Sequence, residues 1–510
     1  MAEGDAGIHA ALEPGSGGDT RHFDVLIIGA GLSGIGAGCQ LQTQCPAKSF
    51  AILEARDVMG GTWDLFRYPG IRSDSDMFTM GYSFRPWPSE KAISDGPSIL
   101  KYIKDTAAEH DVDRKIRYGH RVTSAAWSTA DALWTVEAEV GPERRPQRFT
   151  GNFLYMCSGY YDYDAGYTPG WPEMERFRGR VVHPQHWPED LAHAGRRVVV
   201  IGSGATAVTL VPEMAKTAAH VTMLQRSPTY VVSRPARDAI AARLQRWLPA
   251  RVAHGLTRWK NVLLTMYFYR LSQRRPAQMK DYIVNEVRKA LGPDYDVAKH
   301  FTPRYNPWDQ RMCLIPDADL FDVIRTGKAS VVTDEIEGFT ETGIKLRSGE
   351  QIDADIIVTA TGLKVKMMGG MRLAVDGTPV EVSKRLIYKG MMLNDVPNVA
   401  FALGYTNASF TLKCELTSAY VCRLLNHMAA KGHAWCMPHR PESGIVEEPA
   451  INFSSGYIQR ASGILPKQGS QKPWKLHQNY ALDLAALRFA TIEDGTIEFG
   501  PRAARGSRAA

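Results

Sequence analysis

Nowhere in the 510-residue chain is there an uncharged apolar run of about 18 residues, the length a helix needs to cross a bilayer, so an integral membrane protein is excluded. The seven cysteines (Cys39, Cys45, Cys157, Cys313, Cys414, Cys422 and Cys436) are odd in number, scattered, and contain no C-x-x-C pair. Neither a disulfide framework nor a metal site is expected from them, and a reducing cytoplasm fits best. The opening stretch MAEGDAGIHAALEPGSGGDT lacks both the basic start and the apolar core of a signal peptide; it reads as a disordered tail over residues 1–20. Motifs that read nucleic acid are also missing, so nucleic acid is not an expected partner.

What remains is ordinary globular composition, 44% apolar and 23% charged, long enough at about 150 residues per domain for two to four domains. The net charge of +7 is uneven. Residues 234–290 hold 13 Lys/Arg against 3 Asp/Glu, a local +10 that leaves about minus three for the rest. In this region Trp247, Leu248, Val252, Val262, Leu263, Met266, Tyr267 and Tyr269 recur at helical spacing. The leading reading is a helical insert with a solvated basic face; attraction of an anionic cofactor and weak membrane-surface association are the alternatives.

Two stretches share one grammar. FDVLII (23–28) runs into GAGLSG, with Gly29, Gly31 and Gly34, and then a small-residue helix. The three glycines allow the tight turn, the close approach of backbone to a pyrophosphate and the packing of helix on strand, while the helix N-terminus offers amides to the anion. The next strand, FAILE, ends at Glu54, placed to accept from a ribose diol. RVVVI then leads into GSGATA, with Gly202, Gly204 and Ala207, and the strand after it ends in Gln225 and Arg226. A carboxylate there would repel a 2′-phosphate, whereas a guanidinium pairs with it, so this site is expected to prefer NADPH. One tightly held and one exchanging dinucleotide, FAD and NADPH, are the natural pair.

The fold class is therefore α/β, with two Rossmann-like dinucleotide-binding domains. The strands of each are interrupted: FLYMCSG (153–159) finds its match in NVAFALG (398–404), and the second domain closes with DIIVTATG (355–362). The expected organisation nests the NADP domain (166–232 and 326–386) in the FAD domain (21–160 and 387–510), with a helical insert at 233–325 contributing to the substrate pocket.

Two longer motifs carry a resemblance. Phe177, Gly179, His183, Trp187 and Pro188 spell F-x-G-x-x-x-H-x-x-x-W-P, and GGTWDLFRYPGIRSD (60–74) spells G-G-x-W-x-x-x-x-Y-P-G-x-x-x-D. Both are similar to signatures of type I Baeyer–Villiger monooxygenases, and SDSDMFT, HPQHWPEDL, YNPWDQR and GYTNAS resemble most the mycobacterial ethionamide-activating subgroup. The resemblance implies an enzyme in which NADPH reduces FAD, dioxygen is captured as an anionic peroxyflavin, and a ketone becomes an ester or lactone, with S-oxygenation of sulfides or thioamides as a side activity. It assigns Arg311 as the permanent active-site cation, Asp74 as the carboxylate that orients it, and His183 as a coupling residue in the connector between domains. Gly61, Thr62 and Trp63 fall in the cofactor-binding signature. Asn407 lies in a turn expected against the flavin, and Trp474, with Asn479, keeps the spacing of a segment that closes over NADP. His186 has no assigned role, and Lys413 and Cys414 read as ordinary helix entry.

The nearest rival is a flavin-containing monooxygenase acting on N or S heteroatoms, against which Trp187, Pro188 and Arg311 stand. A flavin disulfide reductase would need a redox cysteine pair. A nucleotide-bound sensor or scaffold would not keep Asp74, Arg311 and both long motifs. Small-molecule ketone or sulfide and dioxygen are the expected partners; the physiological substrate and the oligomeric state stay open.

Overall fold

Strands that are apolar at every position, such as Val25–Ile28, belong to sheets covered on both faces. The computed structural model, which describes residues 20–451 and 454–502, contains two such sheets. The tail expected at 1–20 lies, but for Thr20, outside the described residues.

The larger sheet has nine strands. Arg21–Ile28 sits between Phe50–Leu53 and Arg145–Met156, parallel to both. Arg145–Met156 is long enough to have two partners on its other edge: Leu133–Val140 runs antiparallel along its first half, and Val399–Phe401 runs parallel along its end. That pairing, Val399 opposite Leu154 and Phe401 opposite Met156, closes the first domain with residues far along the chain. The helices Leu32–Gln44 and Phe410–Lys431 cover one face, packed on one another through Cys39, Leu41, Val421 and Leu425.

The smaller sheet is wholly parallel, in the order Ala329–Thr333, His220–Gln225, Arg197–Ile201, Ile356–Thr359, Arg180–Val182. Its edge strand Arg180–Val182 is the middle of the F-x-G-x-x-x-H motif. Gly179 is needed there because a Cβ would stand 2.4 Å from the Asp355 carbonyl oxygen and 2.5 Å from the Phe177 ring. The expected closing strand, Ile356–Thr359, is in place beside Arg197–Ile201. Between the two sheets the connectors run side by side: Tyr161–Gly166 pairs antiparallel with Leu363–Val365.

Two boundaries differ from the sequence reading. Arg372–Val375 pairs with Ser124–Trp127 of the larger sheet, so the chain returns there before residue 387. The insert is helical over Ala239–Trp247, Ala250–Arg274, Pro276–Leu291 and Val297–Phe301, but its end is not separate. Cys313–Pro316 pairs with Val231–Arg234, and helix Asp319–Arg325 buries Leu320 and Phe321 in the core of the smaller sheet. Four-residue strands carry too little periodicity to be read from sequence alone.

Candidate active site

Each Gly-rich turn leaves backbone open at a helix N-terminus. Gly29 (φ +103°) and Gly202 (φ +137°) adopt backbone that other residues rarely reach, and a Cβ on either would strike a backbone carbonyl, of Cys157 or Ala360. Helices Leu32–Gln44 and Ala205–Met214 begin at Gly31 and Gly204, with no side-chain cap and no acid in the first turn, so their terminal amides are left for a ligand. A Cβ at Gly204 would meet nothing within 4 Å, and one at Gly31 would meet only the Cα of Gly61, 3.6 Å away, and its amide nitrogen at 4.0 Å. These are cradles with room for a pyrophosphate. Ala207, in the third position of the second turn, is fully buried.

Glu54 ends its strand beside the first turn. Its carboxylate accepts from the Ala30 N–H at 2.7 Å and the Arg56 N–H at 2.9 Å. Burial raises its pKa, and these two bonds oppose the rise. Gly61 faces Gly31, and Thr62 bonds the Tyr163 hydroxyl at 3.2 Å. Trp63 is half-buried against the larger core. Arg56 braces this turn, donating to Asp64 at 2.6 Å and to the Gly61 carbonyl at 3.3 Å. The residues present fit a dinucleotide at each turn. Arg226, exposed at the second strand end, makes no ion pair among the described residues. Gln225 is instead structural, donating to the His300 carbonyl and the Thr333 hydroxyl.

The G-G-x-W-x-x-x-x-Y-P-G-x-x-x-D signature spans both domains. Phe66 and Tyr68 are buried in the core of the smaller sheet, with burial pushing the Tyr68 phenol up to about 12. Gly70 lies against Glu213, where a Cβ would stand 2.9 Å from that side chain's Cβ. Arg72 pairs with Asp319. The motif is thus a clamp, and its last residue, Asp74, is held where the Ser73 N–H donates to the Ser94 carbonyl and the Ser94 N–H to the Ser73 hydroxyl.

Asp74 meets Arg311 at 2.8 Å. Arg311 stands at the exit of the Pro307–Gln310 turn, two residues before strand Cys313–Pro316 and far along the chain from its partner. Its side chain is 38% exposed, yet protein surrounds it closely enough for burial to act against its charge. The Asp74 carboxylate outweighs that burial and holds the guanidinium above the ordinary arginine range, helped by three phenols, Tyr160, Tyr161 and Tyr457. Tyr160 bonds Tyr161 hydroxyl to hydroxyl at 3.1 Å and stacks on Phe410, the first residue of its helix. Burial pushes the Tyr457 phenol up to about 12 and keeps Tyr161 protonated. This phenol ring was missed at the sequence level; the signal was the pair Tyr160–Tyr161, separated by three residues from the strand that ends at Met156.

His183 sits against the two paired connectors. Its Nδ1 accepts from the Gln185 N–H at 3.2 Å, which leaves Nε2 to donate to the Gly362 carbonyl, also at 3.2 Å. The ring abuts Gly166, where a Cβ would stand 1.9 Å from it, so one imidazole joins both connectors. Burial lowers its pKa. The neutral ring therefore adds stability in full above the ordinary imidazole value, and this is lost as pH falls from there to the lower folded value. His183→Ala is expected to slow turnover several-fold and leave flavin content unchanged; steady-state kinetics and the flavin-to-protein absorbance ratio check this, and unaltered turnover would contradict it. His186 is exposed.

Asn407 and Trp474 serve packing in this structure. The Asn407 amide donates to the Gln478 carbonyl at 2.9 Å, and the Gln478 side chain accepts from the Thr406 N–H at 3.1 Å. Trp474 is 1% exposed, edge-on to Tyr388 within the larger core, and presents no surface to a nucleotide. Asn479 caps helix Tyr480–Leu484. Lys413, expected as plain helix entry, is buried in an ion pair with Asp483 at 3.0 Å. All seven cysteines are buried free thiols.

Two strand, Gly-rich turn and helix units, joined by paired connectors and by a motif that reaches both sheets, give the architecture of a two-dinucleotide oxidoreductase. The model of the family described as "Flavin-binding monooxygenase-like" matches residues 24–368. The FAD-containing monooxygenase EthA of Mycobacterium tuberculosis is 53% identical over 486 residues, 95% of this chain and 99% of its own. Among solved structures, a steroid monooxygenase bound to NADP is similar at a TM-score of 0.73 with 22% identity, over 94% of this chain and 100% of its own. A Rhodococcus cyclohexanone monooxygenase bound to NADP+ gives 0.73 and 19%, over 95% and 100%. The chain belongs to the flavin-binding monooxygenase-like family and is a flavin monooxygenase with the two-domain fold of those enzymes. No helix among the described residues is long and apolar enough to cross a membrane.

Proposed function

We propose that the protein is an FAD- and NADPH-dependent Baeyer–Villiger monooxygenase that uses dioxygen to convert ketones to esters or lactones. The observation that carries the reading is the Asp74–Arg311 pair, a fixed and permanent cation set among phenols. FAD, which the turn at Gly29, Gly31 and Gly34 would hold, would supply the hydride-accepting and dioxygen-activating chemistry. The chain's own part is mostly electrostatic. Arg311 faces the negative charge that develops on oxygen as the carbonyl is attacked, and an always-charged guanidinium does this without a proton balance to maintain. Asp74 fixes its aim, so that little reorganisation is left for the reaction itself. Tyr160, Tyr161 and Tyr457 stand beside the same guanidinium, with Tyr161 and Tyr457 held protonated by burial. The nested division into an FAD domain, an NADP domain and a pocket-forming insert belongs to this reading, as does a reducing, cytoplasmic setting, supported by seven buried free thiols.

The test is to incubate the purified yellow protein with NADPH, air, and linear, cyclic and aryl ketones together with a sulfide, and to identify products by mass. Esters or lactones support the reading; sulfoxide alone would favour a heteroatom monooxygenase; NADPH oxidation with no oxygenated product would overturn it. The second turn adds a prediction of its own. Arg226→Ala removes a charge-assisted contact to the 2′-phosphate, so KM for NADPH is expected to rise about ten- to a hundredfold while that for NADH barely moves. Steady-state kinetics with both coenzymes measure it, and equal effects would remove Arg226 from the site.

A further inference from the structure

Helix Ala250–Arg274 is fastened to the protein chiefly along one side, with a further contact where Trp259 lies edge-on to Tyr480. On that side Ala253, Thr257 and Val262 are buried, and Arg258 donates to the carbonyls of Phe78, Thr79 and Gly81 while pairing with Glu415. On the other side Val252, Leu256, Trp259, Leu263 and Tyr267 are all between 43% and 60% exposed. Their spacing of four, three, four and four places them in one stripe, within about 80° at about 100° per residue. Trp247, 77% exposed, ends the preceding helix and extends the apolar surface. Single exposed apolar residues need no explanation, but a contiguous stripe of this kind does.

The stripe has a charged surround of one sign. Arg243, Arg246, Arg251, Arg270, Arg274 and Arg275 are exposed. The ion pairs that this region forms among the described residues engage other cations: Arg237, Arg258, Lys260 and Lys289. Among the described residues none of these six arginines pairs with a carboxylate. A second copy docking through the same face would set this cationic surface against itself. A surface that is anionic outside and apolar beneath meets both features at once.

We propose that the basic insert is a membrane-surface dock, in which the Val252–Tyr267 stripe with Trp247 enters the headgroup and upper acyl region of an anionic lipid leaflet and the flanking arginines engage lipid phosphates. The attachment is peripheral. It places the insert, rather than either nucleotide domain, against the bilayer.

The FAD-loaded full chain is tested by sedimentation with vesicles of phosphatidylcholine containing about one-quarter phosphatidylglycerol, and with vesicles of phosphatidylcholine alone. The protein is expected to sediment with the mixed vesicles, to stay in solution with the neutral ones, and to be released by high salt. Leu256→Glu combined with Leu263→Glu is expected to lower partitioning about a hundredfold. Arg246→Gln combined with Arg270→Gln should lower it about fivefold per charge removed. Both variants alter exposed side chains, so flavin content and NADPH oxidation with a water-soluble ketone are expected to stay at wild-type values. Failure of the wild type to sediment, or equal sedimentation with both vesicle types, overturns the proposal. So does a wild-type dimer in light scattering that Leu263→Glu dissociates, which would assign the stripe to a second copy.

Discussion

Arg311→Ala is expected to lower the formation of oxygenated product about a hundred- to a thousandfold while flavin reduction by NADPH stays within a few-fold of wild type. The size of the loss follows from removing a preorganised charge in a partly closed site, where such groups are worth more than in water. The split follows from position: the anion cradles at Gly31 and Gly204 and the exposed Arg226 are built from other parts of the chain and survive the change. Because Asp74 lifts the guanidinium above an already high range, the cation persists at every pH where the protein is folded. The wild-type oxygenation profile should therefore show no alkaline limb from this group. Arg311→Lys tests the same point, since a buried ammonium titrates more easily, and it should introduce such a limb. Asp74→Asn keeps the cation and loses its aim, so a smaller defect than in Arg311→Ala is expected. Rapid-mixing absorbance follows flavin reduction and mass spectrometry follows product; ester at the wild-type rate in Arg311→Ala would end the assignment.

How much of this was visible in the sequence depends on how local each constraint is. The two turns were legible because the need for Gly29 and Gly202 arises within a few residues of strand and helix. Asp74 and Arg311, far apart in the chain, gave no local sign and were reached only through family motifs, which also fixed Gly179 and His183 without explaining them. The structure supplies the reasons: Gly179 lets an edge strand pass Asp355, and His183 bridges two connectors. Spacing without environment misled at Trp474, because W-x-x-x-x-N does not say which way the ring faces; here it faces the core, and Gln478 in the same segment pins the Thr406–Asn407 turn. Lys413 was likewise unreadable, since its partner Asp483 arrives from a distant helix. The Tyr160, Tyr161 and Tyr457 ring required knowing that helix Gly456–Ala461 packs beside strand Leu363–Val365, whose partner strand begins at Tyr161.

Gly34→Ala is expected to yield protein without flavin, whereas Gly204→Ala, a methyl added at the middle glycine of the other turn, should give a folded flavoprotein with weakened NADPH binding. The contrast rests on what the added carbon meets. At Gly34 it would stand 1.9 Å from the Gly29 carbonyl oxygen and 3.4 Å from Cβ of Cys157. The first obstacle is backbone of the turn itself, so relief requires helix Leu32–Gln44 to move off strand Arg21–Ile28. That strand lies between two parallel neighbours and is apolar and buried from Val25 onward, so the shift opens the core on which the first cradle is built. At Gly204 the same carbon enters open space, the space a pyrophosphate would take, so the cost falls on the ligand and not on the fold. The third position of the second turn is already Ala207, fully buried, which shows that helix and strand there stand far enough apart for a methyl. The difference between G-x-G-x-x-G and G-x-G-x-x-A in one chain is thus a difference in helix-to-strand distance. Flavin absorbance per chain after gel filtration separates the cases; a fully yellow Gly34→Ala protein of wild-type melting temperature would show that the first turn tolerates what its geometry forbids.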